Sequence, residues 1–124
     1  MSVPLHIQDA VQQGVTVLRL DGHLVADEND RLLRERVTEL AAHGARFFLI
    51  DLSHVSYVDS GGLGAIIEMY NAIERLGGRL ALLCPSACAD RVLEITHLAS
   101  VFDVFRDEGT ALRTLAPSGA ATSN

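Results

Sequence analysis

The chain alternates between two hydrophobic periods. Val15-Thr16-Val17-Leu18-Arg19-Leu20 is β-branched and half-alternating and stops at Asp21-Gly22, so it reads as a strand followed by a turn. A weaker strand precedes it around Leu5-His6-Ile7, with Gln12-Gln13-Gly14 as a hairpin connection. From Asn29 to His43 the period becomes helical: Leu33, Val37, Leu40 and Ala41 share one face, and Gly44 sits where a helix C-terminal glycine belongs. Phe47 to Leu52 is an apolar run broken only by Asp51, the pattern of a central strand covered on both faces.

After Asp59-Ser60-Gly61-Gly62 the helical stripe returns as Leu63, Ile66, Ile67, Tyr70 and Ile73, and Gly77-Gly78 stops it. Leu80-Ala81-Leu82-Leu83-Cys84 reads as a second buried strand, ended by Pro85. Ser86 is placed to cap a short helix through Val92, Leu93 and Ile95. Val101 to Phe105 gives a last short strand, and Gly109 to Leu115 a last helical turn or two. Strands alternating with helices predict an α/β fold. The expected architecture is one domain over residues 1–115, with a four- to five-stranded mixed sheet and helices mainly on one face. Residues 116–124 are small, polar and uncharged, and read as a disordered tail.

Composition narrows the class. The chain has 124 residues, 48% of them hydrophobic, enough for one core without staples. Two cysteines and 5% aromatics exclude a disulfide-dense secreted scaffold. No apolar run approaches the ~20 residues of a membrane span, and the N-terminus lacks the basic region of a signal peptide. Sixteen acids against ten bases leave a net charge of -6, which disfavours nucleic-acid binding. A cytoplasmic protein is expected, either a small enzyme or a protein-binding module.

Candidate chemistry gathers between Asp51 and Gly64. The glycines after Asp59-Ser60 let the backbone turn sharply and bare the tip. Ser60 then stands at a helix N-terminus, near unpaired N–H groups and the positive end of the dipole; serving only as the helix cap is an equally simple role for it. As a nucleophile it has weaker support. Asp59-Ser60-Gly61-Gly62 echoes the chymotrypsin-like tetrapeptide, but those enzymes are all-β and nearly twice as long. Val58 occupies the upstream glycine position of a hydrolase elbow. The five histidines (His6, His23, His43, His54, His97) are scattered, with no recognisable triad partner. Gly61-Gly62-Leu63-Gly64 lacks the lysine and spacing of a nucleotide loop. A phosphoacceptor at Asp51 would need an acid cluster after the first strand, where Asp21 is isolated. Cys84 and Cys88 are spaced by three residues, lack a second ligand pair, and read as small buried residues.

With those residues in view, the chain resembles the STAS domain, in particular the anti-sigma factor antagonist family. The resemblance covers Leu5 to Leu115 and is most specific in Asp51-Leu52-Ser53 and Val58-Asp59-Ser60-Gly61-Gly62-Leu63-Gly64. It implies a switch with no catalysis and no cofactor of its own. By position, Ser60 is the serine that a cognate anti-sigma factor phosphorylates, that partner being a serine kinase with a GHKL-type ATPase fold. A PP2C-type phosphatase reverses the reaction, and the unphosphorylated protein binds the anti-sigma factor and frees its sigma factor. No nucleic acid or membrane is implied as a partner, and the sequence leaves the oligomeric state open between a monomer and a weak dimer. The expected partner-binding residues are Asp59, Ser60, Gly61, Gly62, His23 and Asp27, joined by His54 and Tyr57 from their place flanking the motif; covering the core edge is an equally simple role for Tyr57. Glu68, Asn71 and Arg75 are candidate rim contacts. A STAS scaffold or transporter-associated module without a phospho-switch is the alternative within the fold, and a small serine hydrolase using Ser60 the one outside it. The sequence departs from the family at His23 and Val25, where many members carry acids; here the acids follow at Asp27, Glu28 and Asp30. Gly61 stands where the family often has a second hydroxyl, which leaves Ser60 alone at the tip.

Overall fold

The computed structural model describes residues 3–25, 28–83, 86–97 and 100–117. Asp27, Cys84, Pro85 and residues 118–124 lie outside the described residues. Along the chain run β1 (His6–Gln12), β2 (Val15–Leu24), α1 (Glu28–Ala42), β3 (Phe47–Val58), α2 (Ser60–Arg75), β4 (Arg79–Leu83), α3 (Ala87–Ile95), β5 (Asp103–Phe105) and α4 (Glu108–Leu115). The five strands form one sheet in the order β1-β2-β3-β4-β5. β1 is antiparallel to β2, and every later neighbour is parallel, so the sheet is mixed as expected.

The β1–β2 hairpin turns through Gln13 and Gly14, both at positive φ (55° and 79°). A two-residue turn of that kind matches the twist of the strands it joins. Parallel neighbours need a crossover, and α1 and α2 supply it for β2–β3 and β3–β4. Both pack on the same face as α3. There Leu33 and Val37 of α1, Leu63, Ile66 and Ile73 of α2, and Ala89 and Leu93 of α3 close over Leu18, Leu20, Phe48, Ile50 and Leu82. The second face is smaller: Ala111, Leu112 and Leu115 of α4 cover Val15, Val17, Leu49, Ala81 and Leu83. Each fully buried aliphatic side chain contributes roughly 1.5–3 kcal/mol. This two-sided coverage explains why β3 and β4 read as unbroken apolar runs.

Several boundaries differ from those the pattern suggests. β2 does not turn at Asp21-Gly22 but continues to Leu24, with register shifts against β3 between Arg19 and Asp21 and between Gly22 and His23. Gly22 makes this passage possible: its φ is +118°, and the Pro4 carbonyl occupies the space a side chain would need. Because β2 runs on, β3 finds partners beyond Leu52, pairing Asp21 with His54, Gly22 with Val55, His23 with Tyr57 and Leu24 with Val58. The stretch 53–58, beyond the apolar run that ends at Leu52, is therefore strand. Ala116 and Pro117, expected to open a disordered tail, are half-buried, and the Ala116 amide bonds back to Leu112 at 2.9 Å.

Candidate functional site

At the C-terminal ends of β2 and β3 the chain turns directly into α2 with a single residue between, Asp59. Its backbone is extended (φ −105°, ψ −179°), and its N–H donates to the Leu24 carbonyl at 3.2 Å, fastening the turn to β2. The Asp59 carboxylate accepts from the Gly62 N–H at 2.8 Å, and its carbonyl accepts the first helical bond, from Leu63 N–H at 3.0 Å. Asp59 is thus the helix cap. The alternative that Ser60 only caps the helix is set aside by this geometry: Ser60 is the first helical residue, exposed, and its hydroxyl is not engaged in capping. First-turn N–H groups lack helical acceptors, so the surface around Ser60 is electropositive at the backbone level.

The glycines beyond Ser60 divide by role. Gly61 is half-buried. Gly62, expected at the contact surface, is buried, and a Cβ there would fall 2.8 Å from the Leu24 carbonyl carbon and 2.9 Å from its Cγ. Its contribution is packing: α2 can start against β2 only because residue 62 has no side chain. Gly64 differs. It follows Ser60 by one helical turn, so the two share a face, and a Cβ there would meet nothing within 4 Å. The fold makes no demand for glycine at 64, a half-buried position one turn from the exposed hydroxyl with open space where a side chain would stand. Sequence reasoning placed Gly64 in the motif without giving it this role.

Of the other expected residues, His23 and Tyr57 come together through strand pairing, at the end of the sheet where α2 starts. Their ring centroids are 5.6 Å apart, with Tyr57 50% exposed. His23 is held: its Nδ1 accepts from the Val3 N–H at 3.1 Å, and the Asn29 side-chain amide donates to the Val3 and His23 carbonyls at 3.1 and 3.0 Å. Asn29, 7% exposed, is a positioning residue with no signal in the periodicity. His54 goes elsewhere. It is exposed, pairs with Asp21, and lines a concavity with His6, Gln8, Arg19 and Asp21 on the α4 side of the sheet. Asp30, from the acid run, is buried and ion-paired with Arg34 at 3.3 Å. Glu68, Asn71 and Arg75 are exposed on α2, with Glu68 3.4 Å from Arg34.

Among the described residues, no histidine is hydrogen-bonded to Ser60, and the Nδ1 of His23 is occupied. Asp51 is 5% exposed and saturated: it accepts from Arg19 at 3.0 Å, from the Ser53 N–H at 2.9 Å, and from the Ser53 hydroxyl. Arg19 also forks onto Glu108 of α4 at 2.7 and 2.9 Å, so the three groups clamp α4 to the sheet. Those bonds from Arg19 hold the Glu108 carboxyl below its ordinary range, and the bonds to Glu108 first, then to Asp51, raise the Arg19 guanidinium above its own. Among the described residues no cluster of three His, Cys, Asp or Glu side chains could hold a metal ion. Cys88 is half-buried. No helix of the described residues is long and apolar enough to cross a membrane.

Residues 6–111 match the STAS domain family. An anti-sigma F factor antagonist of Paenibacillus polymyxa is 25% identical over 111 residues, covering 90% of this chain and 95% of its own. Among solved structures, an anti-sigma factor antagonist from Mycobacterium paratuberculosis superposes with a TM-score of 0.75 at 21% identity, over 94% of this chain and 100% of the other. The Bacillus cell fate determinant SpoIIAA in its phosphorylated form gives a TM-score of 0.66 at 22% identity, over 89% of this chain and 98% of the other.

Proposed function

Because the chain belongs to the STAS domain family, with an anti-sigma factor antagonist similar to it over nearly its whole length, we propose that it is a phospho-switched antagonist of an anti-sigma factor. Unmodified, it docks on the anti-sigma factor through the surface around Ser60 and releases a sigma factor for transcription. Phosphorylation of Ser60 by that partner, a serine kinase of GHKL-type fold, ends the association, and a PP2C-type phosphatase restores it. ATP and metal belong to those cytoplasmic partners; this chain contributes a surface and an acceptor hydroxyl.

One observation carries the reading: Ser60 is exposed at the first position of α2 with its hydroxyl left over, because Asp59 does the capping. A phosphate there gains the helix dipole and loses some of that gain to repulsion by Asp59, so the fold itself tolerates it. The effect falls on the partner interface. Phosphorylation adds about 1.5–2 negative charges. Desolvating them without a matching cation costs several kcal/mol, enough for a hundredfold loss of affinity or more. The bare backbone at Gly64 supports a close approach of the partner, and His23 with Tyr57 supplies an aromatic shoulder.

The test is the intact mass after incubation with ATP and a lysate of the native host. Gain of one phosphate, absent in Ser60→Ala, is the expected result, and Ser60→Ala used as bait recovers a GHKL-type kinase. Modification at another residue, or a covalent adduct of Ser60 with a fluorophosphonate probe, would overturn the reading, the second in favour of a hydrolase.

A further inference from the structure

Strand edges are where folded chains meet one another, and the two edges of this sheet differ. β5 is three residues long, and its Asp103 is ion-paired with Arg79 at 2.6 Å. β1 is seven residues, pairs only with β2 among the described residues, and keeps an unbroken register from His6 to Gln12. It has no proline, no lysine or arginine and no bulge, and its one charged side chain, Asp9, is already ion-paired with Arg36 of α1. Val11 on this strand is 71% exposed. We propose that β1 is a self-association edge, through which two copies of this chain pair antiparallel about a two-fold axis at Asp9.

The register follows from backbone geometry. Along an edge strand only alternate residues turn their N–H and C=O outward. Two identical antiparallel strands can therefore bond only between residues of the same parity, which puts the axis on a residue and not between two. Full overlap of His6–Gln12 selects Asp9. The facing pairs are then Ile7 with the second copy's Val11, Asp9 with Asp9, and Val11 with Ile7 on the helix side. His6 meets Gln12, and Gln8 meets Ala10, on the other side. Ile7 already packs against the core, so its extension over the second copy's Val11 covers that exposed side chain.

Two carboxylates facing at the axis would repel, with Cβ atoms about 5 Å apart. Each Asp9, however, brings Arg36 of α1, whose Nη1 stands 3.0 Å from its carboxylate. At the axis the four groups form an alternating cluster of two anions and two cations. The strand contact is small beside the ~1,200 Å² of a stable interface, so association is weak and concentration-dependent. It uses the sheet edge beyond β2, whereas the Ser60 surface lies where β2 and β3 end, so pairing leaves that surface open.

Sedimentation equilibrium from about 10 μM to about 1 mM tests this, a range matched to a weak dimer. The weight-average mass is expected to climb from 13.4 kDa towards twice that value. Val11→Lys, which sets an ammonium against Ile7, and Arg36→Gln, which uncovers the facing carboxylates, are expected to stay near the monomer mass, while Val11→Ile associates as the parent does. Amide shifts that move with concentration should fall on alternate residues of β1. A parent chain monomeric at the highest concentration, or a Val11→Lys variant that associates as the parent does, would overturn the proposal.

Discussion

Ser60 and its neighbours show how adjacent residues of similar character take different work. Asp and Ser are both good helix caps, so the sequence could locate the helix start at Asp59-Ser60 without deciding which one caps. The decision is made by Leu24, whose carbonyl binds the Asp59 N–H and holds that residue extended, so helical geometry begins at Ser60. The approach to Leu24 also separates Gly62 from Gly64. Gly62→Ala is expected to cost about 2–3 kcal/mol, since its new methyl meets backbone that cannot yield. Gly64→Ala is expected to add up to about 1 kcal/mol, because the helix gains a better former in open space. Urea unfolding of both variants checks the pair, and two changes of the same sign would contradict it. The glycine run was legible in the sequence; the division of labour within it was not, because it depends on a strand 38 residues earlier.

At the scale of elements, legibility followed burial. β3 and β4 announced themselves as continuous apolar runs because helices cover both faces of the sheet at that point. α1 and α2 were legible as one-sided stripes for the complementary reason. The bulged ends of β2 and β3 were not, since residues 53–58 and 21–23 mix polar and apolar positions with no clean period and owe their pairing to Gly22. The attachment of α4 was equally hidden, resting as it does on Arg19, Asp51 and Glu108 from three separate elements. That clamp gives a pH signature. Glu108 binds its proton less readily folded than unfolded, so the stability it lends is complete above about pH 5 and drains away as pH falls through its lowered value. With Arg19 37% and Glu108 31% exposed, the pair is screened, and Glu108→Gln should cost under about 1 kcal/mol at neutral pH. The same variant should show a flatter acid limb in melting temperature against pH. An acid limb unchanged by the substitution would contradict this role for Glu108.

For the molecule as a whole, the order of elements and the family were readable from one motif and its flanking periodicity, because strand–Asp–Ser–glycine–helix is a backbone requirement before it is a functional one. Which residues the fold gathers at the end of the sheet that carries Ser60 was not readable. His54 and Gly62 were expected at the same contact surface as Ser60, yet one faces the α4 side of the sheet and the other is buried against Leu24. At the same end of the sheet as Ser60 are Tyr57 and His23, with open space at Gly64 one helical turn on, on a chain whose net charge is -6. Adding charge at Ser60 should leave this scaffold unmoved and alter only what it can bind. Calorimetric titration of the anti-sigma partner with unmodified and Ser60-phosphorylated protein asks that question most directly. The phosphorylated form should bind at least about a hundredfold more weakly, with an unchanged amide spectrum away from residues 57–64; equal affinities for the two forms would contradict the switch.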